Sequence, residues 1–241
     1  MVSRVRWLGI ACLVGLLAPS ICPAAESKGA SPGRGGVGGQ IGSALFFADQ
    51  DYSKGALPRF DFAGHFRYVV ARSLRLQVSP GFTWSGYSKE EVPPFTDPRF
   101  PQDQTKERYL TLLLPVSVQG QFTCDLGSWH WHLGAGPGLY RVLVENRRKV
   151  VEDPVTFRLH RGLYLGGSSE LGVERFFKAL PSTSVEFSII EHYVSAVRDD
   201  QFPNGWNSNL GVAAFRVGAN YYFDLQRPKK APELPLPGAG K

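Results

Sequence analysis

The chain has 241 residues with 27 Gly, 18 Pro, 3 Cys and a formal net charge of +6, a length that fits one domain with or without a tail. Gly and Pro recur without a three-residue period, which excludes collagen, and they interrupt the apolar runs too often for long helices. Charged residues at 20% and apolar residues at 43% exclude wholesale disorder, and positive charge scattered rather than gathered in a stripe argues against nucleic-acid binding.

Residues 1–25 read as a cleaved export signal. Arg4 and Arg6 form a positive start, Trp7 to Ala18 an apolar stretch, and Pro19 to Ala25 a small-residue zone with processing after Ala24 or Ala25. The apolar stretch is shorter than the ~20 residues a membrane-spanning helix needs. A lipoprotein signal using Cys22 is the alternative, but Pro-Ser-Ile before that cysteine makes a poor lipobox. Cleavage leaves Cys124 alone, so no internal disulfide is expected. Residues 26–36 read as a Gly-rich linker, and no later segment has an apolar run of ~18 residues.

From residue 37 to residue 225 the pattern is alternation with period two, the signature of strands. The first strand, 37–48, is weakly patterned. The second sets Phe60, Phe62, Phe66, Tyr68 and Val70 against Arg59, Asp61, His65 and Arg67. In the third, Leu74, Leu76, Val78, Phe82 and Trp84 oppose Arg75, Gln77, Ser79, Thr83 and Ser85. The fourth sets Leu110, Leu112, Leu114, Val116, Val118 and Phe122 against Thr111, Ser117, Gln119 and Gln121. Weaker versions follow at 129–144, 158–173 and 182–197, and the last sets Phe215, Val217, Tyr221 and Phe223 against Arg216, Asn220 and Asp224.

Eight strands is an even number, as a closed up-and-down barrel requires. Each is longer than the ~5–6 residues of soluble strands and reaches the ~9–11 of a tilted bilayer-crossing strand. A lipocalin-like soluble barrel is the alternative. Against it, the polar face carries Arg59, Asp61, Arg67, Arg75, Glu170, Glu186 and Arg216, which suit a polar interior. Connectors alternate without exception between long (49–58, 89–107, 145–157, 198–209) and short (71–73, 123–128, 174–181). Outer-membrane barrels pair long extracellular loops with short periplasmic turns, so both termini are expected in the periplasm. Aromatics cluster at both strand ends: Phe47, Phe60, Trp84, Tyr87, Tyr109 and Tyr193 outside, and Phe122, Trp129, Trp131, Phe176, Phe177, Tyr221 and Phe223 inside. Such clusters suit headgroup zones. The expected fold is an all-β, closed, eight-stranded antiparallel transmembrane barrel.

The stretch Arg216-Val217-Gly218-Ala219-Asn220-Tyr221-Tyr222-Phe223 resembles the outer-membrane β-signal, with Arg216, Gly218, Tyr221 and Phe223 in its key positions. With the eight-strand plan, residues 37–225 resemble the small outer-membrane β-barrel family of OmpA, OmpX and OmpW type, and Gly134 to Tyr140 has a similar glycine-rich texture. The resemblance implies insertion by the barrel-assembly machinery. This chain continues beyond the last aromatic into Gln226–Lys241, a Pro-rich stretch expected to be an extended periplasmic tail. That stretch is too short for the peptidoglycan-binding domain of OmpA-like proteins.

Chemistry is sparse. His130 and His132 share one face of a strand and suggest a metal site, but no nearby Cys or paired acids complete it, so no metal or other cofactor is expected. Asp61, His65 and Ser79 suggest a hydrolase, yet His65 faces inward rather than toward lipid, and His192 and Ser195 lie on opposite faces of one strand. No enzyme is expected. Arg147, Arg148 and Lys149 in a long loop suit contact with lipopolysaccharide. Arg67, Arg75, Gln119, His132, Glu170, Glu186 and Arg216 are expected to form an interior polar network that plugs the lumen, with Arg216, Arg67 and Arg75 as counter-ions to Glu170 and Glu186. Three functional readings follow: a structural or interaction barrel acting through its extracellular loops, a narrow pore or conduit for small hydrophobic solutes, and a lipid-modifying enzyme. The partners expected are outer-membrane lipids and lipopolysaccharide; the oligomeric state is left open.

Overall fold

A computed structural model describes residues 31–47, 58–88, 108–126, 129–146, 149–150, 152, 156–196 and 209–225. The expected signal at 1–25, the tail at 226–241, the 89–107 loop and Arg147–Arg148 lie outside them.

The described chain is all β. Its strands are β1 (Arg34–Phe47), β2 (Arg59–Ala71), β3 (Leu74–Ser88), β4 (Arg108–Leu126), β5 (Trp129–Asn146), β6 (Lys149–Val150), β7 (Arg161–Phe176), β8 (Thr183–Val194) and β9 (Leu210–Asp224). Every neighbouring pair is antiparallel, β4 pairs with β5, and β1 pairs with β9, so the eight long strands close into one ring. Among the described residues, closure gives each of the eight long strands a partner on both sides. The two-residue β6 folds back on β5, pairing Glu145 with Val150 and Asn146 with Lys149. The short extra strand had no counterpart in the alternation, because two residues are too few to show a period.

Boundaries differ from expectation by a few residues. β1 begins at Arg34, inside the stretch read as a linker, where Gly35 and Gly36 pair with Tyr68 and Arg67. β7 runs three residues further than expected, through Glu174 to Phe176. Alternation fixes which face a residue takes but not where pairing stops. Only 72–73, 127–128 and 177–182 separate β2 from β3, β4 from β5 and β7 from β8, and these strand ends share one rim with both ends of the barrel. Cys124 is disulfide-bonded. The expectation of a lone cysteine concerns the cleaved chain, which is a different species.

The exterior is apolar. Ile41, Phe62, Leu76, Val78, Val116, Leu163, Leu165, Leu171, Ile189, Phe215 and Val217 all stand exposed, and Leu114 is 37% exposed, while Leu112 is half-buried. Outward-facing Arg141, Arg161 and Glu191 lie toward the long-loop ends of their strands, and Arg175 toward the other rim, where Asp224 ends the inward row of β9 and pairs with Arg34 at 3.1 Å. Exposed Phe47 and Tyr193 lie at the long-loop ends, where Phe60 packs on Trp84 at 5.6 Å. At the opposite rim Tyr221 stacks on Phe223, and Arg175 lies over Trp129. Phe176 departs from the expected girdle: it faces inward and packs on Tyr222 and His130 at the mouth of the lumen. The side chains of Tyr87 and Tyr109 are outside the described set.

Candidate functional site: the barrel interior

The inward rows divide the lumen along its axis. Toward the long-loop rim they form an apolar core of Ala44, Phe46, Leu113, Val142, Val144, Ile190, Leu210, Val212 and Ala214, closed by Tyr140 and Tyr164. The interior was expected to be polar throughout. The outer half escaped the pattern because its strands are apolar on both faces there, as at Leu112–Leu113 and Ile189–Ile190, so alternation carries no contrast.

Toward the other rim the lumen is ionic. Arg67, Arg75, Gln119, His132, Glu170, Glu186 and Arg216 all face inward and are at most 2% exposed. Arg67 Nη2 donates to Glu186 Oε1 at 2.6 Å and its Nε to Gln77 Oε1 at 2.5 Å. Arg75 donates to Glu174 Oε2 at 3.0 Å, to the Tyr222 hydroxyl at 2.8 Å and to Gln121 Oε1 at 2.6 Å. Asn220 Nδ2 donates to Glu174 and Glu186, both at 2.8 Å, and Ser184 donates to Glu174. Glu174 and Glu186 face each other directly across β7 and β8, and these donors screen what would otherwise be a like-charge clash.

Arg216 corrects one expectation. It is not a counter-ion to Glu170 or Glu186: it bonds Asp61, with Nε to Oδ2 at 2.5 Å and Nη2 to Oδ1 at 3.2 Å. The reason is register. Gly42 on β1 sits opposite both Asp61 on β2 and Arg216 on β9. A Cβ on Gly42 would lie 1.9 Å from the Phe215 carbonyl oxygen, so only glycine fits between the two flanking strands at this height. Gly38 lets His65 and Asn220 meet over β1, their Nε2 and Oδ1 2.6 Å apart. A Cβ there would stand 2.4 Å from the imidazole.

Other candidates separate. Gln119 does not meet His132: it donates to Ser168 at 2.9 Å and accepts from Gln121. His130 bonds Asp125, so His130 and His132 share no ligand. Asp61, His65 and Ser79 turn to three different partners: Arg216, Asn220 and Gln77. His192 faces inward to the Tyr140 hydroxyl, with Ser195 on the other face. Of the residues in the resemblance to a β-signal, Arg216 and Gly218 face the lumen, and Tyr221 and Phe223 face outward.

Glu174 and Tyr222 were missed, although both sit at the centre of the ionic cluster. Glu174 lay one residue beyond the expected end of its strand, and Tyr222 is an inward aromatic within an aromatic triplet. Glu170, in turn, has no arginine. Its Oε2 accepts from Gln77 at 2.9 Å and Gln121 at 3.1 Å, and its Oε1 is buried without a hydrogen bond.

No protein-family model matches the chain, and neither does the sequence of any curated protein. Among solved structures, similar folds include neisserial surface protein A, at 14% identity and a TM-score of 0.48, with 78% of this chain and 97% of that one covered. The attachment invasion locus protein Ail of Yersinia pestis is similar at 11% identity and a TM-score of 0.46, over 80% and 99% of the two chains. The outer membrane protein OprG of Pseudomonas aeruginosa is similar at 11% identity and a TM-score of 0.45, over 82% and 99%.

Proposed function

We propose that this chain is an outer-membrane barrel, exported by a cleaved signal and inserted by the barrel-assembly machinery. Its lumen is plugged by side chains, and it acts through the loops at its long-loop rim. The observation that carries this reading is the inversion of polarity: buried arginines and glutamates inside, exposed aliphatic rows outside. Water penalises that arrangement and a hydrocarbon surround favours it. Apolar rows bounded by aromatic residues at both rims add support.

An eight-stranded barrel is only just wide enough for side chains to fill. Here the outer half is packed by the apolar core and the inner half by the Arg67, Arg75 and Arg216 networks. A filled lumen favours a structural or interaction role over a conduit, with lipopolysaccharide and neighbouring lipids as first contacts and Lys149 as an exposed basic residue at that rim. Both termini then lie in the periplasm, and lipid A is left chemically unchanged. The test is conductance of the intact protein in planar bilayers. No steady current is expected; a steady ohmic current would establish the conduit instead, and loss of lipid A acyl groups on expression would establish an enzyme.

A further inference from the structure

His132, Glu170 and Glu186 stand on three consecutive strands of the ring, β5, β7 and β8. Each offers one ligand atom, and the three atoms lie within 4.8 Å of one another, fully inside the barrel. The space between them is made by Gly172. It sits opposite His132 in the β5–β7 ladder, and a Cβ on it would stand 2.4 Å from both Cε1 and Nε2 of the His132 ring. The imidazole therefore lies across β7, over the glycine, and brings Nε2 to 3.2 Å from Glu186 Oε1.

Two of the three are poorly used by the protein itself, whereas Glu186 already accepts from Arg67 and Asn220. His132 Nε2 and Glu170 Oε1 are buried without a hydrogen bond, the approach of Nε2 to Glu186 Oε1 at 3.2 Å being out of line for one. A buried polar atom left unmatched is costly, so each calls for a partner. Charge points the same way. In this half of the lumen Glu170, Glu174 and Glu186 face two guanidiniums, Arg67 and Arg75, because Arg216 is committed to Asp61. One carboxylate lacks a cation, and it is Glu170.

We propose that His132, Glu170 and Glu186 bind a divalent transition-metal cation of the Zn2+ class inside the barrel. One imidazole nitrogen with two carboxylate oxygens is a donor set suited to that class, as a three-ligand site with one open position. A tetrahedral ion with bonds of ~2.0–2.2 Å holds its ligand atoms roughly 3.4 Å apart, so the side-chain ends close by about an ångström on binding. A hydroxide as fourth ligand returns the cluster to neutrality. Because both halves of the lumen are packed, the ion enters as the barrel closes, which couples binding to folding.

The test refolds the intact protein from urea into detergent micelles with Co2+ or Zn2+, then removes loose metal with a chelator. One retained equivalent of Co2+ with visible ligand-field absorption is expected, and Zn2+ should raise the thermal midpoint. Glu170→Gln, which conserves shape, and His132→Ala should each weaken binding by at least tenfold, while His130→Ala leaves it unchanged. Should His132→Ala fail to fold, Glu170→Gln and the wild-type spectrum still decide. A wild-type barrel that retains no metal overturns the proposal, as does retention that Glu170→Gln does not weaken.

Discussion

Arg67 illustrates what a buried residue does in this barrel. It is fully enclosed and neutralises Glu186 at 2.6 Å while steadying Gln77. Arg67→Met is expected to destabilise by about 3–5 kcal/mol, because it leaves a carboxylate stranded in a low-dielectric interior. Adding Glu186→Gln should recover part of that loss. Urea unfolding of the two variants in lipid checks both values. Glycines matter at the same scale. Gly42→Val would push a side chain into the Phe215 backbone and prise Asp61 from Arg216, so refolding should yield little of the compact, heat-modifiable barrel on gels. His65, Asp61 and Arg216 all appear on the polar face in the sequence, but the glycine between each pair becomes visible only once registers are known.

At the scale of the element, β9 presents two separable faces. Its outward face presents Tyr221 and Phe223, and its inward face carries Arg216, Gly218, Asn220 and Tyr222. Gly218 lies under Gln40, whose amide crosses it to reach Ser188 at 3.2 Å; a Cβ there would come within 2.5 Å of Gln40 Cγ. Gly218→Asp is therefore expected to lower the amount of inserted barrel through lost packing as well as through any recognition defect. Phe223→Ser tests recognition more cleanly, since the ring faces outward. It should reduce insertion while leaving the stability of the protein that does insert nearly unchanged. Deleting 228–241 should do neither. Quantifying barrel in membrane fractions separates the three, and a silent Phe223→Ser beside a failed truncation would show that the signal lies elsewhere. The alternation within β9 is strong enough to assign its faces from sequence. The end of β7 is not, and that is why Glu174 went unnoticed.

For the whole molecule the decisive question is what surrounds it. Val78 stands on the outward face beside Phe66 and Val118, the fifth residue of its strand. Val78→Arg should cost roughly 2–4 kcal/mol if hydrocarbon lies there. Leu114→Arg should cost less, because Leu114 pairs with outward-facing Arg141 nearer the long-loop rim. Reversible unfolding in lipid vesicles measures both, and a negligible cost at each would argue for a water-soluble barrel. Ionic strength gives a second check: the buried pairs are shielded from bulk salt, so stability should hold between low and high salt.

Sequence by itself determined the architecture, because period-two alternation is a local property that survives without knowing which strands touch. Strand number, the inward and outward face of most residues, and the alternation of long and short connectors are all legible in that way. It also brought Arg67, Arg75, His132, Glu170 and Glu186 to one face. Tertiary structure alone decided who pairs with whom. Arg216 went to Asp61 rather than to Glu170 because two registers, β1 with β2 and β1 with β9, place one glycine between them. Equally, the apolar outer half of the lumen and the gathering of His132, Glu170 and Glu186 over Gly172 depend on relative heights of strands far apart in the chain. Those heights follow from ring closure, which no local pattern encodes.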